Sequence, residues 1–569
     1  MNIRERAGEI WSVADLLRGD YKQADYGKVI LPFTVLSRLD ILLTKTKEKV
    51  LAEWPKVQDM GDEIIDRRLN KIAGYKFHNR SPYNFDKLLA DPNNLAANLR
   101  AYISGFSTDV RNIMEMFSFD EQIDRLDKSD LLFQVFKKYH GFDLSGSDPL
   151  MMGYIFEELI RKFAEISNET AGEHFTPREV IQLIVYLLFT DEEDIFAPGK
   201  IITLCDPTAG TGGMLSAGDA HIRSLNDKAT VLLFGQEINP ESYAICKADM
   251  LIKGQEPTNI KFGDTLRNDQ HSGARFNYQM ANPPFGVEWK KAEKEVKAEF
   301  EKRGFAGRFG PGLPRINDGS LLFLLHMISK MPPPQDGGGR IGIVLNGSPL
   351  FTGGAGSGES EIRKWIIEND MLEAVVALPD QLFYNTGIST YVWIITNRKS
   401  AERKGTVQLI NAAGMFQKMS RSLGNKRNEI SPEQIQTIAK WYGQNRETSQ
   451  VKVFPNEYFG YSRITVERPE RDEKGNIVTD KKGNPKPDSK LRDYENVPLL
   501  EDIETYFARE VLPHVPEAWI DHSKTKVGYE INFTRYFYTY QPLRPLADIR
   551  KEILALEQET DGLIKEILE

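Results

Sequence analysis

The segment Ala281-Asn282-Pro283-Pro284-Phe285-Gly286 directly follows a strand-like run, Phe276 to Met280. Two prolines have nearly fixed φ and no N–H to donate. The loop is therefore stiff, and the Asn282 amide and the Pro283 carbonyl are held in place. Two such oxygens can accept both N–H bonds of a planar amine, while Phe285 offers a face on which its ring can stack. Taken together, Asn282, Pro283, Pro284 and Phe285 are the candidate catalytic residues. The plainer alternative is a turn at a strand end, since Asn-Pro and Pro-Pro both mark turns.

A second constellation suits a cofactor. Asp206-Pro207-Thr208-Ala209-Gly210-Thr211-Gly212-Gly213 lies between a strand-like run and a helix-like stretch. Glycines there permit a tight turn and close approach of the backbone to a ligand. Glu237 ends the next strand-like run, where an acidic side chain can bind ribose hydroxyls. Asp264 ends the third and could contact an adenine edge. A nicotinamide cofactor needs Gly-x-Gly-x-x-Gly with its pyrophosphate on a helix N-terminus. This loop is Gly-x-Gly-Gly and opens on a carboxylate. S-adenosylmethionine has no phosphate and carries ammonium and sulfonium cations, so it suits the loop better. A third segment, Gly172 to Glu179, precedes both. Its Thr176-Pro177 pair predicts a helix start with Pro at the first helical position. Glu173, His174, Phe175 and Arg178 are left to wall the cofactor pocket. His174 has no neighbours that would make a metal triad.

These loops need a scaffold whose strands all end on one side. Strand-like runs at Ile201–Leu204, Val231–Gly235, Ile260–Gly263, Phe276–Ala281, Ile341–Leu345, Ala374–Leu378 and Tyr391–Thr396 alternate with helix-like stretches. That alternation predicts an α/β fold, a mostly parallel, doubly wound sheet of seven strands, with ligands at the strands' carboxyl ends. Residues 1–160 read as a helical domain, 161–400 as the sheet domain and 401–540 as a mixed extension, with a polar insertion over 468–493. From 541 to 569 a helix is expected. There Leu546, Ile549, Ile553, Leu556, Thr560, Leu563 and Ile567 step by three and four, as in a heptad seam. Such a helix packs either on its own domain or on a partner. If the planar amine belongs to DNA, Arg308, in a glycine-rich stretch after the Asn-Pro-Pro-Phe loop, is a candidate contact to the DNA backbone.

The chain has 569 residues, of which 40% are hydrophobic and 27% charged, ordinary values for a soluble globular protein of several domains. Its two cysteines allow neither a disulfide framework nor a CxxC metal site, so a reducing compartment, the cytoplasm, is expected. The start, MNIRERAGEIW, lacks the apolar stretch of a secretory signal, and no apolar run is long enough to span a membrane. The formal net charge is −9. A protein that grips duplex DNA unaided usually presents a basic surface, so work on DNA would call for a partner to supply much of the grip.

In this order, the motifs at 172–178, 206–213, 235–237 and 282–285 resemble those of gamma-type amino-group DNA methyltransferases. The likeness is specifically to the modification (M) subunit of type I restriction–modification systems. Arg308-Phe309-Gly310, Asn317 to Phe323, Leu378-Pro379, Phe383 to Ile388 and Leu31-Pro32-Phe33 are also similar to that subunit. One departure is Glu173-His174, where Gln-Tyr is common. The resemblance implies a methyltransferase sheet behind a helical N-terminal domain. It implies S-adenosylmethionine held by Glu173 to Arg178, Thr208 to Gly210 and Glu237, with a target adenine held by Asn282 to Phe285. It also implies DNA as substrate and two copies of the chain paired with one DNA-specificity subunit, joined in turn by a restriction subunit. A methyltransferase for another planar amine, in RNA or on a protein glutamine, and a non-catalytic scaffold are the competing readings.

Overall fold

Apolar residues on nearly every face bury the long helix α1 (Gly27–Leu43), from Val29 to Leu39 almost without a break. A helix patterned in this way can only be central. The computed structural model describes residues 3–142, 144, parts of 151–163, 176–190, 192, 197, 199–384, 386–423, 425–538 and 545–556. Met1–Ile531 form one compact unit and Asn532–Glu569 a second. In the first, helices gather around α1, among them α2 (Thr108–Met116), into one apolar core.

Helix α3 (Arg178–Phe189) precedes the sheet. The seven strands expected from the sequence all form: β1 (Ile201–Asp206), β2 (Thr230–Glu237), β3 (Ile260–Phe262), β4 (Tyr278–Ala281), β5 (Arg340–Asn346), β6 (Leu372–Ala377) and β7 (Thr390–Thr396). They lie in the order β3-β2-β1-β4-β5-β7-β6. β7 runs antiparallel between β5 and β6. β6 and β7 are buried at every residue, which is why their sequences are apolar without alternation.

The expectation of seven strands falls short. β8 (Thr406–Asn411) joins β6 in parallel. After the hairpin β9 (Gln417–Leu423) and β10 (Lys426–Glu429), β11 (Val451–Pro455) pairs antiparallel with β8, giving nine strands. β8 alternates polar and apolar residues only from Thr406 to Leu409, and Ile410 packs in the same core as helix residues Ile435, Ile438 and Tyr442. A short strand of that kind gives a weak signal, as does β11, which forms the edge of the sheet. Beyond it, β12 (Gly460–Glu467) pairs with β13 (Asp493–Pro498), β14 (Trp519–Ile520) and β15 (Lys526–Tyr529) in a small separate sheet. The 468–493 insertion is a run of exposed turns. Asp472 Oδ1 caps one by accepting from the N–H groups of Lys474 (2.9 Å) and Asn476 (2.8 Å), and Asp480 Oδ1 caps another.

Two helices bracket the region that matters most. α4 (Gly213–Leu225) follows β1, and α5 (Pro240–Ile252) follows β2. α5 faces two ways. Tyr243, Cys246 and Met250 enter the sheet core, while Ala244, Ile245, Ala248 and Leu251 enter the N-terminal core. Lys247 pairs with Asp109 of α2 at 2.8 Å, and Tyr243 donates to Asn112 Oδ1 at 3.2 Å. The helical N-terminal part is thereby fixed to the segment that follows Glu237. Among the described residues no helix is long and apolar enough to cross a membrane.

Candidate active site

Register places the motif loops on one edge. β1 runs level and parallel with β4 (Cys205↔Gln279), β2 with β1 (Asp206↔Gly235) and β3 with β2 (Glu237↔Phe262). The loops carrying Asp206, Glu237, Asp264 and Asn282 therefore all leave the sheet at its carboxyl edge, where doubly wound folds bind ligands.

The glycine loop is tied down by backbone bonds. Ala209 N–H donates to the Gln236 carbonyl at 3.0 Å, and Gly210 N–H to Glu237 Oε2 at 2.7 Å. Glu237 Oε1 accepts from the N–H groups of Ile238 (2.9 Å) and Asn239 (2.8 Å). Burial raises the Glu237 carboxyl above the usual range despite these bonds. Oε2, which accepts only one of these bonds, still has a lone pair to offer a hydroxyl. Gly212 has φ +83°, and a Cβ there would sit 2.9 Å from Cys246 Sγ, so only glycine fits where α4 begins.

Asp206 is buried, and its Oδ1 accepts from Thr208 N–H at 2.9 Å and Thr208 Oγ1–H at 3.2 Å. Burial, with Glu237 adding to it, pushes its carboxyl up to about 7. Two neighbouring acids, Asp206 buried and Glu237 half-buried, are a poor seat for a pyrophosphate and a good one for a cation and a ribose. Asp264 spends Oδ1 on capping its own turn, accepting from Leu266 N–H at 2.9 Å.

Thr176 and Pro177 depart from the expected capping pattern. Pro177, not Thr176, is the cap residue of α3, and no side chain caps that end. The Thr176 hydroxyl is used elsewhere, accepting from Asn282 Nδ2 at 2.8 Å. That bond fixes the orientation of the Asn282 amide. α3 also borders the cofactor loop, since Ile181 Cδ1 lies 3.4 Å from where a Cβ on Gly213 would stand. Pro283 is buried, and Asn282 and Pro284 are half-buried. Phe285 is 8% exposed and edge-on to Phe383, with centroids 5.8 Å apart. Arg178 begins α3 and is half-buried. Glu173, His174 and Phe175 lie outside the described residues.

The Arg308 side chain is largely buried, and its donors are used within the protein. It is held by the Glu299 carboxylate at 2.8 and 3.0 Å and donates to the carbonyls of Thr265 (2.7 Å) and Leu266 (3.0 Å). Thr265 in turn donates to the Pro207 carbonyl at 2.6 Å. Arg308 thus braces the cofactor loops from behind. Gln236 is a second brace, donating to Asn268 O at 2.8 Å and accepting from Gln270 N–H at 3.1 Å. Sequence reading missed both roles, although Arg308 and Gln236 each stand inside a motif it had singled out.

A sheet ordered in this way, with an acidic glycine loop on β1 and Asn-Pro-Pro-Phe on β4, defines an S-adenosylmethionine-dependent methyltransferase. Residues 147–463 match the family model described as N-6 DNA Methylase, and residues 7–139 match the HsdM N-terminal domain. The chain belongs to the N-6 DNA methylase family, an adenine-specific DNA methyltransferase with the domain composition of a type I modification subunit. It is 26% identical over 450 residues to the type I restriction enzyme MjaIX methylase subunit of Methanocaldococcus jannaschii, covering 76% of each chain. It is 30% identical over 268 residues to the HindI methylase subunit of Haemophilus influenzae, covering 46% of this chain and 54% of that one. Among solved structures, the type I restriction-modification methyltransferase subunit from Streptococcus thermophilus shares the fold. Its TM-score is 0.64 at 24% identity, with 80% of this chain and 96% of that chain covered.

Proposed function

We propose that this chain methylates N6 of an adenine flipped out of double-stranded DNA. It does so in the cytoplasm, as two modification subunits paired with one DNA-specificity subunit and joined by a restriction subunit. The observation that carries the chemistry is the Thr176–Asn282 bond, which fixes the target-amine loop against the helix bordering the cofactor loop.

Asp206, Thr208, Ala209, Gly210, Gly212, Glu237 and Asp264 form one side of the cofactor seat, and the 173–178 segment forms the other. Bound there, S-adenosylmethionine supplies an already activated methyl group. The exocyclic amine of adenine is a poor nucleophile because its lone pair is delocalised into the ring, and it is inaccessible until the base is flipped. Asn282 Oδ1 and the Pro283 carbonyl accept the two N–H bonds, draw the amine toward tetrahedral geometry and stabilise the positive charge that develops on nitrogen. This is electrostatic preorganisation, with acceptors in place of the usual donors. Phe285, set edge-on by Phe383, provides the stacking ring. Holding nitrogen and methyl in line supplies much of the remaining acceleration. Support for the assembly comes from relatives. One solved structure, aligned over 99% of this chain, concerns complex assembly of the type I restriction–modification system. The C-terminal heptad helix is the part of this chain that would dock on a partner.

The test is Asn282→Ala in the assembled enzyme. Cofactor affinity should stay within about threefold, while methyl transfer falls by about a thousandfold, the scale set by loss of a preorganised polar group. Equal loss of both would place Asn282 in a structural role.

A further inference from the structure

We propose that Lys426, on the β9–β10 hairpin, is a positioning residue. Its buried ammonium sets the spacing between the two walls of the target-base pocket. This rests on the reading of that pocket given above.

Lys426 is 3% exposed. A buried ammonium is tolerated only when its three donors are used. Here they go to the Glu179 carboxylate, the Leu382 carbonyl (3.0 Å) and the Asn428 carbonyl (2.9 Å). Glu179 stands in the first turn of α3, three residues from Thr176, which holds Asn282. Leu382 is next to Phe383, which holds Phe285 edge-on. One side chain thus joins the wall that orients the amide to the wall that orients the ring.

The rest of the hairpin grips the same segment. Asn428 Nδ2 donates to Asp380 O at 2.9 Å, Arg427 N–H to Gln381 O at 2.9 Å and Asn425 N–H to Tyr384 O at 2.8 Å. Gln381 sits at φ +59°, in the left-handed region. A non-glycine residue persists there only when its surroundings over-determine the backbone, a condition concentrated at functional sites. An apolar pair of similar volume would pack as well as a buried ion pair, and often more stably. What it could not do is direct a hydrogen bond at the Leu382 carbonyl.

That difference supplies the experiment, made on the chain assembled with its specificity subunit. Wild-type transfer to adenine N6 tests the underlying reading separately, before any variant is considered. In Lys426→Met, kcat should fall about 30-fold, as expected for a sub-ångström misplacement, with cofactor dissociation changed by less than about threefold. Fluorescence of 2-aminopurine at the target position should report a lower flipped fraction. In Glu179→Leu/Lys426→Met the unpaired charge is gone, so Tm should return to the wild-type value while kcat stays low. Recovery of both would make Lys426 a counter-ion and overturn the proposal. Lys426→Arg keeps the charge but changes its reach. It serves if the methionine variants do not fold, with kcat expected to drop at least about threefold at unchanged cofactor affinity. A wild-type kcat in that variant would equally overturn the proposal.

Discussion

Asp206 ionises at a cost, because burial and the nearby Glu237 lift its carboxyl to about 7. A cationic ligand beside it favours the ionised form, so binding releases a proton at lower pH. Affinity for S-adenosylmethionine should therefore be constant above pH 7 and weaken below it, by up to about tenfold per pH unit. Asp206→Asn should bind weakly and without that slope. Isothermal titration between pH 5.5 and 8.5 measures both, and a flat wild-type profile would remove Asp206 from the cofactor seat. The same shift has a stability consequence of fixed sign. The folded carboxyl titrates higher than the unfolded one, so its contribution is full near pH 4 and lost as pH rises through 7. Asp206→Asn should accordingly raise the Tm of the ligand-free protein at pH 8 and leave it little changed at pH 4.

At the scale of elements, the brace through Arg308 ties α6 (Glu293–Arg303) to the turn after β3, and through Thr265 to the glycine loop. Arg308→Ala leaves Glu299 half-buried without its partner. It should cost about 3 kcal/mol in urea unfolding and weaken cofactor binding. Arg308→Lys should restore only part, because a point charge cannot reproduce a planar fork of donors. A DNA-backbone role would instead lower the salt slope of DNA binding, which should not move. The contrast shows what a sequence makes legible. Seven strands, the glycine turn and the Asn-Pro-Pro-Phe loop were readable because local chemistry dictates them: apolar strands, positive-φ glycines, proline stiffness. The partners of Arg308, Lys426 and Thr176 were not. Each is fixed by a contact between segments far apart in the chain, such as Lys426 with Glu179, and no local pattern encodes that contact. β8 and β11 were lost for a related reason. Their place in the sheet is decided by α7 (Pro432–Gln444) and by edge pairing rather than by their own weak alternation.

For the whole molecule, charge and the C-terminal helix point the same way. A chain of net charge −9 gains little from phosphate neutralisation, so its hold on DNA should come chiefly through its partners. Helix α8 (546–556) exposes Leu546 at 83% and Ile553 at 59%, and the heptad continues through Thr560, Leu563 and Ile567, which lie outside the described residues. Exposed apolar side chains repeated at heptad spacing are suited to packing against a second helix. Removing residues 545–569 should leave the cofactor seat untouched, because Asp206, Glu237 and Asn282 all belong to the Met1–Ile531 unit. Cofactor affinity and the Tm of the main transition should then match the full chain. Association with the specificity subunit should weaken by about a hundredfold, close to 3 kcal/mol, and high-affinity DNA binding should fall with it. Analytical ultracentrifugation of the truncated chain with that subunit reads the first effect, and DNA binding at two salt concentrations reads the second. Full assembly by the truncated chain would assign the heptad to packing on its own fold and shift the docking surface to the N-terminal helices.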